Sequence, residues 1–183
     1  MKKLLMVGFA VAVLASVAFG QTLVQEQKVV QALFAQDVNA IQTNTVWVSM
    51  KNYGHVAIVV QCGVINASQA GITGTVQQAS SVAGTGAKTL GSVSNYWVNG
   101  INGDIYTNTA TTLNGFALTS ASDFKTYIVE VDASQLDVAN SFDCVRMSFD
   151  TPSAHSAIIN AFYILSQPRY TGDAASQPSA LID

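Results

Sequence analysis

Charged residues are scarce in this sequence. Lysine, arginine, aspartate and glutamate make up 10% of the 183 residues, against about 25% in an average globular protein. Eight basic side chains stand against eleven acidic ones, which gives a net charge of −3. Nucleic-acid binding needs clustered lysine and arginine, and disordered or coiled-coil segments are rich in charge. The composition excludes these classes, and no nucleic-acid partner is expected.

Residues that carry catalytic chemistry are also few. The sequence has two histidines, His55 and His155, and no G-x-S-x-G motif of the kind that presents a nucleophilic serine. Residues 84–89 (Gly-Thr-Gly-Ala-Lys-Thr) lack the glycine that directly precedes the lysine of a phosphate-binding loop, so we interpret them as a glycine turn between strands. We therefore predict a protein without catalytic residues, enzyme activity or a cofactor.

Metal-ligating patterns are absent as well. Asp132, Asp137 and Asp143 could converge on a cation, but their spacing does not match a calcium loop, whose ligands recur at alternate positions. A zinc or haem site would need a cluster of cysteine and histidine. We interpret the three aspartates as solvated carboxylates and predict no metal site.

Residues 1–20 have the form of a secretory signal peptide. Lys2 and Lys3 precede an apolar run over 4–19, and Ala18-Phe19-Gly20 supplies the small residues of a cleavage site. The run is shorter than the ~20 residues that span a bilayer, so we expect cleavage and export. The alternative is a membrane contact through an uncleaved 1–20 segment.

Short runs of β-branched and aromatic residues dominate the chain from Trp47 onward. Residues 56–62 are apolar at nearly every position, which predicts a central strand covered on both faces. Residues 127–132 and 144–149 alternate, as half-exposed strands do. We predict an all-β sandwich over 46–166, with the jelly-roll as one arrangement of it. The expected core includes Val56, Ile58, Val60, Val129, Val131, Val145, Met147, Phe149, Phe162 and Ile164.

The two ends of the mature chain are predicted to be arms. In 21–45, apolar residues three and four apart favour a short helix, while Val29 to Phe34 is equally compatible with a strand. Residues 167–183 contain two of the three prolines and predict an extended arm. We expect both ends to contact neighbouring copies, the first by strand addition to a partner's sheet. Removal of 21–45 would then leave a folded monomer.

The only two cysteines, Cys62 and Cys144, could form a disulfide in an exported chain. Cys62 shares strand parity with core residues, whereas Cys144 shares it with Arg146 and Ser148. The sequence therefore leaves the pairing open.

Serine, threonine, asparagine and glutamine are plentiful, while lysine and glutamate are rare. A surface of this kind suits contact between subunits, because interface cores are depleted of charge. It also suits a secreted carbohydrate-binding module, for which Tyr96, Trp97 and Tyr106 are the candidate contact residues.

Several segments between Trp47 and Asp183 resemble a family of small structural proteins encoded among the virion genes of tailed bacteriophages. They are residues 47–53 (WVSMKNY), 76–79 (VQQA), 82–90 (VAGTGAKTL), 129–132 (VEVD), 136–137 (LD), 142–146 (FDCVR), 163–165 (YIL), 169–170 (RY) and 178–180 (PSA).

This resemblance implies a non-enzymatic, capsid-associated or otherwise repeated virion protein with a β-sandwich fold. Its partners would be copies of itself and other subunits of the particle. A signal peptide departs from the pattern, because virion proteins assembled in the cytoplasm have no use for one. The alternative is therefore an exported bacterial fibre or surface subunit, located at the cell surface or outside the cell.

Overall fold

The computed structural model describes residues 23–39, 43–66, 71–101, 103–150, 156–169 and 177–182. The predicted signal peptide, His155 and residues 170–176 of the predicted C-terminal arm lie outside these ranges. Across the described ranges, no helix is both long enough and apolar enough to cross a membrane. The helices there are one α-helical turn, Leu23–Glu26, and three 3₁₀ turns, Ser120–Ser122, Ala133–Gln135 and Val138–Asn140.

Twelve strands, numbered β1 to β12 in chain order, form two antiparallel sheets in the described residues. Sheet A has six strands that run side by side across the molecule. In spatial order they are β1 (Lys28–Asn39), β12 (Ser156–Pro168), β4 (Tyr53–Asn66), β10 (Thr126–Asp132), β7 (Asn95–Asn99) and β8 (Tyr106–Ala110).

Sheet B is built around the pair β5 (Ile72–Ala79) and β11 (Cys144–Asp150). Two short strands, β2 (Thr43–Asn44) and β3 (Val48–Ser49), pair with successive parts of β11. Two others, β6 (Lys88–Thr89) and β9 (Gly115–Leu118), pair with successive parts of β5.

The strand order is that of a jelly-roll. Without the β7–β8 hairpin, sheet A has the order β1-β12-β4-β10, and the second sheet has β2/β3-β11-β5-β9. Along the chain, β1, β2/β3, β4 and β5 alternate between the sheets, and so do β9, β10, β11 and β12, as in the two Greek keys of a jelly-roll. The predicted all-β sandwich is confirmed, in its jelly-roll arrangement.

The core lies between the two sheets. Eight of the ten residues predicted for it are buried: Val56, Ile58, Val60, Val129, Val131, Val145, Met147 and Phe149. An aromatic cluster around Phe116 joins the sheets. The Phe116 ring stacks on Tyr127 of sheet A with centroids 4.5 Å apart, and it lies 6.4 Å from Phe149 of sheet B.

The other two predicted core residues, Phe162 and Ile164, point to the opposite face of β12 and are only partly buried. Their neighbours Ala161, Tyr163 and Leu165 face the core instead. Residues 161–165 are apolar at every position, so the sequence contained no alternation that could identify the inward face. The prediction therefore chose the wrong face of β12, since the inward side chains are the immediate neighbours of those predicted.

The N-terminal segment is part of the sandwich over Lys28–Asn39, which confirms the strand considered for Val29 to Phe34 and corrects the alternatives of an arm or a helix there. Strand β1 pairs with β12 and buries Val30, Leu33 and Val38 in the common core. Its register shifts between Gln31 and Leu33 and again before Gln36. These bulges break the period of two that a regular strand shows, which explains why the apolar spacing favoured a helix.

The C-terminal segment also packs on its own domain where it is described. Strand β12 continues to Pro168, so an extended arm beginning at 167 is placed slightly too early. Further on, the Ser49 N–H donates to the carbonyl of Ala180 (2.7 Å), and the Tyr53 hydroxyl donates to the carbonyl of Pro178 (2.6 Å).

Cys62 and Cys144 are both buried and are not joined to each other, so the disulfide considered above is not formed. Cys62 belongs to the core between the sheets, whereas Cys144 packs with Trp47 and Ala79 in a separate small cluster. Burial, reinforced by the nearby carboxylate of Asp123, raises the pKa of the Cys62 thiol from 9.0 to about 12.

We expect alkaline pH to destabilise the domain through Cys62. Because folding raises this pKa, the stabilisation is complete below pH 9 and is lost as pH rises from 9 toward 12. At pH 10, one unit above the pKa of the unfolded thiol, the free energy of unfolding should be lower by about 1.4 kcal/mol. Urea unfolding at pH 8 and pH 10 measures it. A Cys62→Val variant should lack this part of the pH dependence, and an equal loss in that variant would contradict the prediction.

Candidate functional site

The outer face of sheet A, the side turned away from sheet B, carries a row of mostly apolar side chains. Residues paired directly across antiparallel strands point to the same side of the sheet. The register therefore places one such row across all six strands: Gln31, Phe162, Val59, Ile128, Trp97 and Asn108. At about 4.8 Å per strand, the row is roughly 24 Å long. We call it the apolar row.

A second row on the same face enlarges this surface. Val29, Ile164 and Ala57 are paired side by side, next to Phe162 and Val59 of the apolar row. Val29 is 46% exposed, and Trp97 at the other end of the face is 36% exposed. Val59, paired with Phe162 and Ile128 in the middle of the face, is only 5% exposed. The face therefore combines apolar side chains with direct access from solvent.

A ladder of amide side chains borders the apolar row on one side. Gln31 donates from Nε2 to Oδ1 of Asn160 (2.9 Å), and Asn160 donates from Nδ2 to Oε1 of Gln61 (3.0 Å). Further along, the Thr126 N–H donates to Oδ1 of Asn99 (2.6 Å). These bonds hold uncharged polar groups in fixed positions beside the apolar row.

Ionisable side chains border the apolar row on the other side. His55 Nδ1 lies 3.0 Å from Ser166 Oγ, and His55 Nε2 lies 3.9 Å from a carboxylate oxygen of Glu130. The other carboxylate oxygen accepts a hydrogen bond from Trp97 Nε1 (3.2 Å). Glu130 thus fixes the orientation of the indole ring on the face.

Serine, histidine and a carboxylate are the residue types of a hydrolase triad, and sequence spacing gave no sign that Ser166, His55 and Glu130 would meet. Acyl transfer also needs backbone N–H donors aimed at the developing oxyanion. The three residues stand on paired strands, whose N–H groups lie in the plane of the sheet. The arrangement is suited to positioning Trp97 rather than to acyl transfer.

The three candidate aromatic residues separate in the structure. Tyr96 faces the core, with its ring centroid 5.9 Å from that of Phe116 and 5.7 Å from that of Tyr127. Trp97 and Tyr106 lie on the outer face as diagonal neighbours of the β7–β8 hairpin, because Trp97 is opposite Asn108 and Tyr106 is opposite Asn99. Tyr96 is therefore not part of this surface.

The candidate metal ligands do not form a cluster. Asp137 accepts hydrogen bonds from Lys88 (2.5 Å) and Asn140, which hold the pKa of its carboxyl below its usual range. Asp143 accepts a hydrogen bond from the Cys144 thiol (3.2 Å). Within the ranges that the structure describes, no group of three histidine, cysteine, aspartate or glutamate residues could hold a metal ion.

The glycine segment 84–89 forms a turn that leads into β6, as predicted. Gly84 has a φ of +81°, in the left-handed region, and a Cβ there would lie 2.6 Å from Nε1 of Trp47. The glycine is required because the turn packs directly on the indole ring of Trp47.

No protein-family model matches this chain, and no curated protein matches it at a significant level. The fold and the outer face of sheet A are therefore the features that bear on function.

Proposed function

We propose that this protein is a non-enzymatic structural subunit of a repeated assembly, and specifically a capsid-associated virion protein. The observation that carries the proposal is the apolar row, which crosses six strands on the face of sheet A turned away from sheet B, with Gln31, Trp97 and Asn108 exposed. Large exposed apolar surfaces on soluble domains mark interaction sites. The absence of lysine and arginine from the two rows agrees with the low charge of interface cores.

Two further observations support this function. By analogy of fold, the jelly-roll recurs in viral capsid proteins. The resemblance of residues 47–183 to virion proteins of tailed bacteriophages points the same way. An exported bacterial fibre or surface subunit would use the same outer face, and the predicted signal peptide favours that version of the structural role.

Replacement of Phe162 by lysine is the direct test. Phe162 lies in the apolar row and is only partly buried, so a charge there should block face-to-face contact while the sandwich remains folded. We expect wild-type protein to form particles or filaments in negative-stain micrographs and sedimentation velocity, and Phe162→Lys to stay monomeric at the concentrations at which wild type assembles, with an unchanged circular dichroism spectrum.

The matched control is Leu113→Lys, which places the same charge on a 43% exposed residue of the β8–β9 loop. This variant should assemble as wild type does. A wild-type protein that stays monomeric at every concentration would overturn the proposed function. Normal assembly of Phe162→Lys would show that the outer face is not the contact.

Carbohydrate binding is the second candidate function, favoured by the position of Trp97 and Tyr106 on one exposed face. Aromatic rings offer flat apolar contact to a sugar ring, and Asn99 and Asn108, which pair with these residues, carry amide groups able to hydrogen-bond hydroxyls. Jelly-rolls also occur in lectins. A positive glycan array with a monomeric protein, abolished by Trp97→Ala, would favour this function over the structural one.

A further inference from the structure

A small cavity lies where the β3–β4 turn meets the segment between β10 and β11. Its volume is about 240 Å³, and its apolar lining includes Met50, Leu136, Val138 and Phe142. Met50 and Leu136 are buried, whereas Val138 is 62% exposed. The cavity is therefore an apolar recess that is accessible from solvent.

Charged groups also line the cavity. Lys51, Arg169 and Asp143 contribute to it, two cations and one carboxylate. The Asp143 carboxylate accepts a hydrogen bond from the Cys144 thiol. The ion pairs of the described residues are His55–Glu130 and Lys88–Asp137, so neither Lys51 nor Arg169 has a carboxylate partner among them. The cavity therefore favours an apolar group that carries a negative charge.

The size of the cavity limits what can occupy it. Pockets for drug-sized ligands or cofactors have volumes of roughly 300–1,000 Å³. A recess of about 240 Å³ is better matched to one or two aliphatic side chains of a peptide.

The C-terminal segment of this chain has the complementary chemistry. Ala180 is 1% exposed and is held by its hydrogen bond from Ser49, but the next residues, Leu181 and Ile182, are 50% and 71% exposed. Asp183 follows them in the sequence. An anchored backbone thus presents two aliphatic side chains, followed by a carboxylate.

We propose that residues 181–183 of one copy bind in the cavity of a second copy. Leu181 and Ile182 would contact the apolar lining, and the Asp183 carboxylate would lie near Lys51 and Arg169. Neither Leu181 nor Ile182 lines the cavity of its own copy, which favours insertion into a neighbour. This inference rests on the proposed function, because it requires repeated copies. A tail-into-cavity contact joins two different surfaces and propagates head to tail, into a closed ring or an open filament.

The test is sedimentation velocity of the full chain over a concentration series. The double variant Leu181→Ser/Ile182→Ser should raise the concentration at half-assembly about tenfold or more, as expected when an anchoring contact is lost. The matched control is Ile101→Ser/Ile105→Ser, which changes two aliphatic residues that are 57% and 79% exposed on the β7–β8 loop. The control should assemble at the wild-type concentration.

Charge reversal identifies the cavity as the binding site. Lys51→Glu/Arg169→Glu should weaken assembly, and adding Asp183→Lys should restore it. Lys125→Glu, which makes half of this change in net charge, shows whether added negative charge alone weakens assembly. Thermal melts of all variants establish that they fold.

Three outcomes separate this inference from the proposed function. If wild type assembles and the Leu181/Ile182 variant does so equally well, the inference is overturned and the structural function stands. If the tail variant is impaired but Asp183→Lys does not rescue the cavity variant, the tail binds elsewhere and the inference is again overturned. If wild type never assembles, both fail.

Discussion

Deletion of residues 21–45 should unfold the domain rather than release a folded monomer. The deletion removes β1, whose Val30, Leu33 and Val38 side chains are buried in the core. At about 1.5–3 kcal/mol for each buried aliphatic side chain, these three residues alone approach the 5–15 kcal/mol that stabilises a typical domain. The deletion also exposes one whole edge of β12.

Loss of Thr45 adds to this effect. Its hydroxyl donates to the carbonyl of Met147 (3.0 Å), accepts from the Met147 N–H (2.8 Å) and hydrogen-bonds the hydroxyl of Tyr163. Tyr163 is fully buried, and burial raises its pKa above the usual tyrosine range. Without Thr45, these buried polar groups lose partners, and each such loss costs about 1–3 kcal/mol.

Circular dichroism and urea unfolding of the truncated chain measure the outcome. The control is a full-length Val29→Ser/Phe34→Ser variant, which changes two exposed residues of β1 (46% and 77%) and should unfold nearly as wild type does. A cooperative transition in the truncated chain at the wild-type urea concentration would contradict the prediction.

Phe116→Ala should be the most damaging single truncation of a side chain in the core. The Phe116 ring is fully buried and contacts aromatic rings from both sheets. It also lies against Gly74, where an added Cβ would meet the ring at 3.1 Å. Removal of such a ring typically costs about 3–5 kcal/mol, because the cavity cannot fully collapse. The melting temperature should fall by on the order of 10 °C.

Calorimetry of Phe116→Ala and of the control Phe34→Ala measures this difference in melting temperature. Phe34 is 77% exposed, so its truncation should change the free energy of unfolding by no more than about 0.5 kcal/mol. Similar melting temperatures for the two variants would show that the Phe116 cluster does not join the sheets as described.

The sequence predicted the fold best where apolar and polar residues alternate cleanly. Strands β10 and β11 show this pattern, and their inward residues Val129 and Met147 are buried as expected. It failed where the alternation is hidden: β12 is apolar on both faces, and bulges interrupt β1. The local sequence pattern does not show which strands will pair with β1 and β12. That pairing determines which side of each strand faces the core.

Only part of the outer face of sheet A could be predicted from the sequence. The continuous apolar run of β4 predicted a central strand, and β4 does lie between β12 and β10, with Val59 on its outer side only 5% exposed. The neighbours of Val59 on this face are Phe162 and Ile128, which belong to strands distant in the sequence. The apolar row is a product of strand register, so it could not be recognised from any single segment.

The position of β12 has a consequence for when this protein can fold. The last long strand lies between β1, the first, and β4. A nascent chain that ends before residue 156 therefore has no partner for β1 and leaves one edge of β4 open. Contacts between distant parts of a chain form slowly and late, and here they also wait until β12 (Ser156–Pro168) has been synthesised. Sheet A therefore closes only once β12 has been synthesised, and until then the hydrogen-bonding edges of β1 and β4 stay open to other chains.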